Sequence, residues 1–103
     1  MRLLVAESDP ALAAFLQHRF DAEHYAVDLA GDGDAANSLL RQHDYNLAIL
    51  DLSLPQPDGF SVVRQVRAKR LRLPILVLTD SNSLEDGVRV LDMGADDFVF
   101  EAV

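Results

Sequence analysis

The residues best suited to chemistry in this chain are carboxylates and hydroxyls that directly follow short apolar runs. Asp51 is the central one, since it follows a fully apolar stretch and precedes a loop with two prolines. Glu7 with Ser8, Thr79 and Glu101 follow three further apolar runs. A carboxylate among apolar neighbours is costly unless it is paired, binds a cation or reaches solvent. The pattern therefore indicates that Asp51 has a ligand to hold or a reaction to support.

These side chains need a scaffold, and the sequence predicts alternating strands and helices. The apolar runs predict strands, and the segments between them carry apolar residues at helical spacing. Such alternation is typical of a parallel sheet with helices on both faces, and the carboxyl ends of its strands meet at one edge. The predicted strands are Arg2–Ala6, Ala26–Ala30, Leu47–Leu50, Ile75–Leu78 and Asp97–Phe100. The residues expected at the carboxyl edge are Glu7, Ser8, Asp9, Asp51, Thr79, Asp80 and Glu101.

The predicted first and fourth helices carry specific expectations. Asp9 before Pro10 predicts an N-cap followed by a proline at the first helical position. Phe15 and Met93 are expected in the core. Gly87 lies in the interior of the fourth helix, where glycine costs about 1 kcal/mol relative to Ala, so this helix is expected to be the softest. Between the second strand and the second helix, a turn is predicted at 31–33.

Length and charge exclude several classes of function. The chain has 103 residues, which suffices for one domain with one core. Its formal net charge of -8 disfavours binding of nucleic acid or an anionic membrane by this segment, because phosphate affinity depends on Lys and Arg. The basic residues from Arg64 to Arg72 are interpreted as a solvated helix face. Cysteine is absent, which excludes disulfides and thiolate sites. No spanning run or leader is recognised, so a cytoplasmic protein is expected.

Four segments, in order and with sensible spacing, resemble the receiver domain of bacterial two-component response regulators over essentially the whole chain. They are VAESDP, LAILDLSLPQPDG around Asp51, PILVLTD around Thr79, and LDMGADDF. The last resembles the OmpR/PhoB-like subfamily, whose receivers are joined to a winged-helix DNA-binding domain, and none is recognised here. The resemblance implies an α/β fold with a doubly wound, five-stranded parallel sheet in the flavodoxin-like or CheY-like order 2-1-3-4-5. It implies a signalling protein rather than an enzyme.

The resemblance also implies a phosphorylation site. In that family a histidine kinase passes a phosphoryl group to the aspartate that matches Asp51. Two acidic residues after the first strand, the acceptor aspartate and a backbone carbonyl two residues later hold a divalent cation. Here Glu7 matches the first acidic position, Ser8 stands at the second, and the carbonyl would come from Ser53. A hydroxyl is a weaker ligand for Mg²⁺ than a carboxylate, so weak Mg²⁺ binding is expected.

Other positions keep or lose the family pattern. Thr79 matches the hydroxyl that binds the phosphoryl group, and Phe98 matches the switch aromatic. Glu101 stands where the family has a near-invariant lysine, Ala102 where a proline follows it, and Asp80 where the residue is usually small. A second carboxylate about 4 Å from the acceptor costs roughly 4 kcal/mol at an effective dielectric near 20. Slow or absent phosphorylation is therefore expected.

Glu101 leaves two interpretations open. Glu7, Asp51 and Glu101 could together hold a divalent ion, with Glu101 compensating for Ser8. Alternatively, Glu101 turns outward to water or one carboxyl keeps a proton. The second interpretation is favoured, because a single substitution rarely builds a coordination sphere.

The chain stops at Val103, just past the predicted fifth strand, whereas receivers of this family end in a fifth helix that packs beside the first. We therefore expect a single receiver domain over 1–103, C-terminally truncated and without that helix. An uncovered apolar sheet face is an association site. Self-association is expected, by exchanged elements or through the region from Leu84 to Phe100, and a homodimer is the expected form.

Three hypotheses about function follow. The first is an atypical receiver that controls an output domain through dimerisation, with weak or no phosphorylation. The second is a conventional phosphoacceptor, phosphorylated on Asp51 by a histidine kinase. The third, a flavodoxin-like cofactor protein, shares the topology, but the loop after the first strand lacks a phosphate cradle.

Overall fold

The computed structural model describes residues 1–69, 72–79 and 84–100, which form five strands and four helices in alternation. The strands are β1 (Arg2–Ala6), β2 (Ala26–Ala30), β3 (Leu47–Asp51), β4 (Ile75–Thr79) and β5 (Asp97–Phe100). The helices are α1 (Pro10–Ala22), α2 (Gly33–Gln42), α3 (Gly59–Lys69) and α4 (Leu84–Asp92). The predicted alternation is confirmed, and the described ranges contain no fifth helix.

The strands form one parallel sheet in the order β2-β1-β3-β4-β5, as expected. The strand β1 lies between β2 and β3, and Ala6 pairs with both Ala30 and Leu50. Further along, Asp51 pairs with Leu78 of β4. Since all strands run the same way, their carboxyl ends lie at one edge of the sheet.

The core has two parts because successive strand residues point to opposite faces. The larger cluster lies on the face covered by α2, α3 and α4, and it includes Leu4, Leu50 and Val77. The smaller cluster lies on the face covered by α1, and its buried members are Val5, Ile49 and Leu78. Apart from Asp51, β3 is buried on both faces through apolar side chains, which explains its uninterrupted apolar sequence.

Two aspartates cap the first two helices. Asp9 accepts a hydrogen bond from the Ala11 amide at 3.0 Å, so its predicted capping role is confirmed. Asp32 accepts from the Ala35 amide at 2.7 Å. The predicted turn at 31–33 is therefore one residue too long, because α2 already begins at Gly33. Within the described residues, none of the helices has the length and apolar character that crossing a membrane requires.

The prediction that Phe15 belongs to the core is wrong. Its side chain is 58% exposed, while Leu16 and Phe20 of the same helix pack against the smaller cluster. Neighbouring helical positions lie about 100° apart, so Phe15 points away from the face that Leu16 presents to the sheet. Met93 is half-buried and packs against the larger cluster, in agreement with its predicted place.

Arg67 also differs from its expected place on a solvated helix face. Its guanidinium donates to the Leu73 carbonyl and the Gly94 carbonyl, each at 2.6 Å, and to Asp96 Oδ2 at 2.8 Å. Asp96 Oδ2 also accepts from the Ile75 amide at 2.7 Å. The side chain is drawn inward because α3 ends beside these two backbone carbonyls, to which the guanidinium supplies donors. Arg67 therefore joins α3 to the start of β4 and to the loop before β5.

Candidate functional site

Three polar side chains are buried at the carboxyl edge of the sheet. Glu7 follows β1 and is 3% exposed, Asp51 ends β3 and is 3% exposed, and Thr79 ends β4 and is 1% exposed. Backbone hydrogen bonds between neighbouring strands extend to this edge, since the Glu7 amide donates to the Ala30 carbonyl and the Leu52 amide donates to the Leu78 carbonyl. Buried carboxylates are rare without a partner or a cation, so this edge is the candidate site.

Both carboxylate oxygens of Asp51 accept a hydrogen bond. Ser8 Oγ donates to Oδ2 at 3.1 Å, and the Ser53 amide donates to Oδ1 at 2.9 Å. The first residue of α3 also packs closely against the Asp51 backbone, since a Cβ on Gly59 would lie 2.4 Å from the Asp51 carbonyl oxygen. The Asp51 side chain is thereby held in one orientation by hydrogen bonds from β1's end and from its own loop.

Glu7 is also fixed by the loop that follows β1. Its Oε2 accepts from the Asp9 amide at 2.9 Å, and its Oε1 is buried. Asp9 itself is exposed and directs its carboxylate to the Ala11 amide, so it contributes a cap rather than a third carboxylate at the edge. Among residues 1–69, 72–79 and 84–100, no three His, Cys, Asp or Glu side chains are grouped as a metal site.

The loop after Asp51 is braced by the start of α2. The Gly33 amide donates to the Pro55 carbonyl at 2.8 Å, and the Asp34 amide donates to the Gln56 carbonyl at 2.9 Å. A Cβ on Gly33 would lie 2.1 Å from the Pro57 carbonyl oxygen, so only glycine allows this approach. Sequence reasoning placed Gly33 in a turn, and no local pattern indicated its contact with a loop that comes later in the chain.

Phe98 lies in β5, two residues before the end of that strand, and packs against α4. It pairs with Val77 in the β4–β5 ladder, is half-buried, and packs against the larger core cluster. A Cβ on Gly87 would lie 2.3 Å from the Phe98 ring, so the ring rests on the backbone of α4. The ring also meets that of Phe100 edge to face, with 5.6 Å between centroids. Phe100 pairs with Thr79, which places the aromatic pair next to the strand that ends in the buried hydroxyl.

Three of the positions that depart from the family pattern lie outside the described residues. These are Asp80, Glu101 and Ala102. The sequence-based predictions about them, including Glu101 as a third cation ligand, remain predictions.

The residues at the edge fit a magnesium ion with a reduced set of ligands. Mg²⁺ binds oxygen and often needs only one or two protein carboxylates, with waters and substrate phosphate in the other positions. Glu7 and Asp51 are two buried carboxylates at this edge, and no sulfur or imidazole competes among the residues named there. Ser8, where the family has a second acidic ligand, directs its hydroxyl to Asp51 instead.

Comparison with known proteins identifies the class. Residues 3–102 match the family of the response regulator receiver domain, so the chain belongs to that family. This membership sets aside the flavodoxin-like cofactor protein.

The relatives are transcription regulators of the OmpR/PhoB-like kind. The chain is 42% identical over 99 residues to the transcriptional regulatory protein PhoP of Escherichia coli strain K12. It is 41% identical over 99 residues to the transcriptional regulatory protein TctD of Salmonella typhimurium strain LT2. Each match covers 96% of this chain and 44% of the relative, so the chain spans less than half the length of these curated relatives.

Solved receiver structures have the same fold. The non-phosphorylated HemR receiver domain of Leptospira biflexa is 30% identical, with a TM-score of 0.91 over 99% of this chain and 82% of that one. The BeF3-activated N-terminal receiver domain of Klebsiella pneumoniae RstA is 25% identical, with a TM-score of 0.94 over 100% of this chain and 87% of that one.

Proposed function

We propose that this chain is an atypical receiver domain that acts through dimerisation, with weak or no phosphorylation of Asp51. The observation that carries the proposal is the hydrogen bond from Ser8 Oγ to Asp51 Oδ2, at the position of the family's second acidic ligand. The relatives are transcriptional regulatory proteins, which supports control of a DNA-binding output outside these 103 residues. In this proposal the chain is a cytoplasmic signalling module and not an enzyme.

Phosphorylation of Asp51 would require positive charge beside the incoming phosphoryl group. A carboxylate oxygen would form its bond to phosphorus while the bond from phosphorus to the donor breaks, and the phosphoryl oxygens carry negative charge throughout. A magnesium ion bound by Glu7 and Asp51, with the Ser53 carbonyl, would supply part of that positive charge. Glu101 stands in the sequence where the family's lysine would supply the rest. The metal site thus lacks one carboxylate ligand at Ser8, and the pocket lacks the lysine at position 101. These two losses are the reason to expect slow transfer of the phosphoryl group.

The surface of α4 and β5 supports dimerisation with a second copy. A shallow, open groove of about 500 Å³ on the surface of α4 is lined by Leu84, Val88 and Met93. Its remaining lining residues carry both signs of charge, so the surface can complement itself across a two-fold axis. These are Glu85, Arg89 and Asp92. Large apolar side chains at least partly exposed on the two elements are Leu84, Val88, Leu91, Val99 and Phe100.

A conventional phosphoacceptor is the second candidate. It is favoured by Asp51 and Thr79, which are both buried at the ends of adjacent strands. In this case a histidine kinase would be the partner, and Phe98 would respond to the phosphoryl group through Thr79.

Incubation with acetyl phosphate and Mg²⁺ distinguishes the atypical receiver from the conventional phosphoacceptor. We expect that intact-protein mass spectrometry detects at most a small fraction of molecules with an added phosphoryl group. The fraction should fall to background in Asp51→Asn. A receiver known to be phosphorylated under the same conditions serves as the positive control. Stoichiometric phosphorylation that is lost in Asp51→Asn would contradict the proposal and establish the conventional function.

A further inference from the structure

The direction of the Ser8 hydrogen bond assigns this residue a second role in the pocket. A carboxylate can only accept hydrogen bonds, so the hydroxyl of Ser8 is the donor in its 3.1 Å contact with Asp51 Oδ2. We infer that Ser8 is a positioning residue, which holds the Asp51 side chain in its pocket through this hydrogen bond without the help of a metal ion. The inference deepens the proposed function, since it concerns the same pocket, but it does not depend on any phosphorylation.

Hydrogen bonds from the chain itself hold the Asp51 carboxylate in place. The Ser53 amide donates to Oδ1 and Ser8 donates to Oδ2, so each oxygen of Asp51 has a donor within the described part of the chain. Asp51 is 3% exposed while Ser8 lies at an exposed position, so the Ser8 hydroxyl is the donor that reaches Oδ2 from the solvent side of the pocket. A hydrogen bond to a buried carboxylate is stronger than one between neutral groups. The orientation of Asp51 is thus built into the chain.

An acidic residue in place of Ser8 would act in the opposite way. Aspartate at this position would face Asp51 with oxygens only, beside the buried carboxylate of Glu7. Like charges this close repel, so such a pocket needs a cation to hold its carboxylates together. Ser8 removes that need and also removes one ligand. A magnesium ion would therefore bind this chain weakly and add little to its stability.

Variants at position 8 test the inference by thermal unfolding in EDTA and across a Mg²⁺ titration. In EDTA, we expect Ser8→Ala to lower the midpoint by about 5 °C, because the buried carboxylate loses its donor. Ser8→Thr keeps a hydroxyl at an exposed position and should keep the midpoint of the unchanged protein. Ser8→Asp should be the least stable in EDTA and should gain most with Mg²⁺. Its Mg²⁺ affinity should exceed that of the unchanged protein by at least on the order of tenfold.

Two further variants identify the partner of the hydroxyl. In an Asp51→Ala background, Ser8→Ala should lose its effect, because the accepting carboxylate is gone. Ser38→Ala removes a hydroxyl from α2, where it accepts from Gln42, and controls for the general loss of a serine. Strong stabilisation of the unchanged protein by Mg²⁺, or an unchanged midpoint of Ser8→Ala in EDTA, would overturn the inference. Neither outcome depends on acetyl phosphate, so the two proposals can fail separately.

Discussion

In the middle of the edge strand β2, one oxygen of Asp28 accepts three hydrogen bonds. Tyr45 donates its hydroxyl to Asp28 Oδ2 at 2.7 Å, and Arg2 donates from Nε at 3.1 Å and from Nη2 at 2.9 Å. The Tyr45 hydrogen bond is the main reason that the pKa of Asp28 is lowered, with Arg2 adding to it. Burial, followed by the hydrogen bond to Asp28, raises the pKa of Tyr45 well above its ordinary value. The three side chains join the edge strand β2 to β1 and to the segment that leads into β3.

Tyr45→Phe tests the contribution of this contact. At neutral pH we expect the free energy of unfolding to fall by about 1 kcal/mol, since a hydrogen bond to a carboxylate is lost and Asp28 is partly solvated. The pKa of Tyr45 is higher in the folded protein than the ordinary value of 10.0 that applies to the unfolded chain. The hydrogen bond therefore contributes its full stabilisation below pH 10.0, and this stabilisation is lost as the pH rises through the folded pKa. Urea unfolding at neutral pH and above pH 10.0 measures both effects.

The other tyrosine provides the matched control for this prediction. The hydroxyl that Asp28 accepts from belongs to Tyr45, so Tyr25→Phe leaves this contact in place and should keep the alkaline loss of stability expected of the unchanged protein. The difference in the free energy of unfolding between the unchanged protein and Tyr45→Phe should become smaller above pH 10.0. A difference that stays constant with pH would mean that Tyr45 acts through packing rather than through its hydroxyl.

At the scale of elements, α4 is shaped by the strand it covers. Val90 is fully buried, while Gly87 gives the Phe98 ring a place against the helix backbone. From the sequence, Gly87 predicted only a soft helix, because glycine costs about 1 kcal/mol there relative to Ala. The structure adds that a side chain at this position would meet the ring. Gly87 is thus explained by packing between α4 and β5.

Gly87→Ala sets helix propensity against this packing. Alanine gains about 1 kcal/mol from propensity, but overpacking a filled contact typically costs about 1–3 kcal/mol, so we expect a net loss of stability. In a Phe98→Ala background the ring is absent, and the same substitution should instead stabilise the protein by about 1 kcal/mol. Chemical unfolding of the unchanged protein, the two single variants and the double variant measures whether the effect of Gly87→Ala on the free energy of unfolding changes sign. Stabilisation in both backgrounds would show that the ring moves aside at no cost.

How far each feature could be predicted depends on how local its cause is. The bounds of β1 and the cap at Asp9 follow from neighbouring residues, and the structure agrees with both. The inward turn of Arg67 depends on carbonyls at Leu73 and Gly94, which reach it only after the chain has folded back. The Ser8 contact with Asp51 likewise joins the loop after β1 to the end of β3, which lie far apart in the sequence. The family pattern indicated the site, but it could not indicate that Ser8 would donate to Asp51.

On the scale of the whole molecule, the large apolar side chains exposed among the described residues include Met1, Leu29 and those on two surfaces that carry a helix. One is the surface of α4 and β5, where Val88 is 48% exposed and Val99 is 44% exposed. The other is α1, where Phe15 is 58% exposed. Each could support association, because contiguous apolar surface on a small protein tends to be an interface. The α4 surface has the stronger case, since its Glu85, Arg89 and Asp92 offer charges of both signs beside the apolar residues.

Val88→Glu and Phe15→Glu separate these two surfaces. Both place a charge at an exposed helical position, so neither should disturb the core. We expect sedimentation equilibrium at high protein concentration to detect a dimer of the unchanged chain. Val88→Glu should weaken that dimer at least on the order of tenfold, since a desolvated charge in an interface costs more than 1.4 kcal/mol. Phe15→Glu should leave the dimer unchanged. A monomer at every concentration would contradict dimerisation, and a dimer abolished only by Phe15→Glu would place the interface on α1, away from the self-complementary groove.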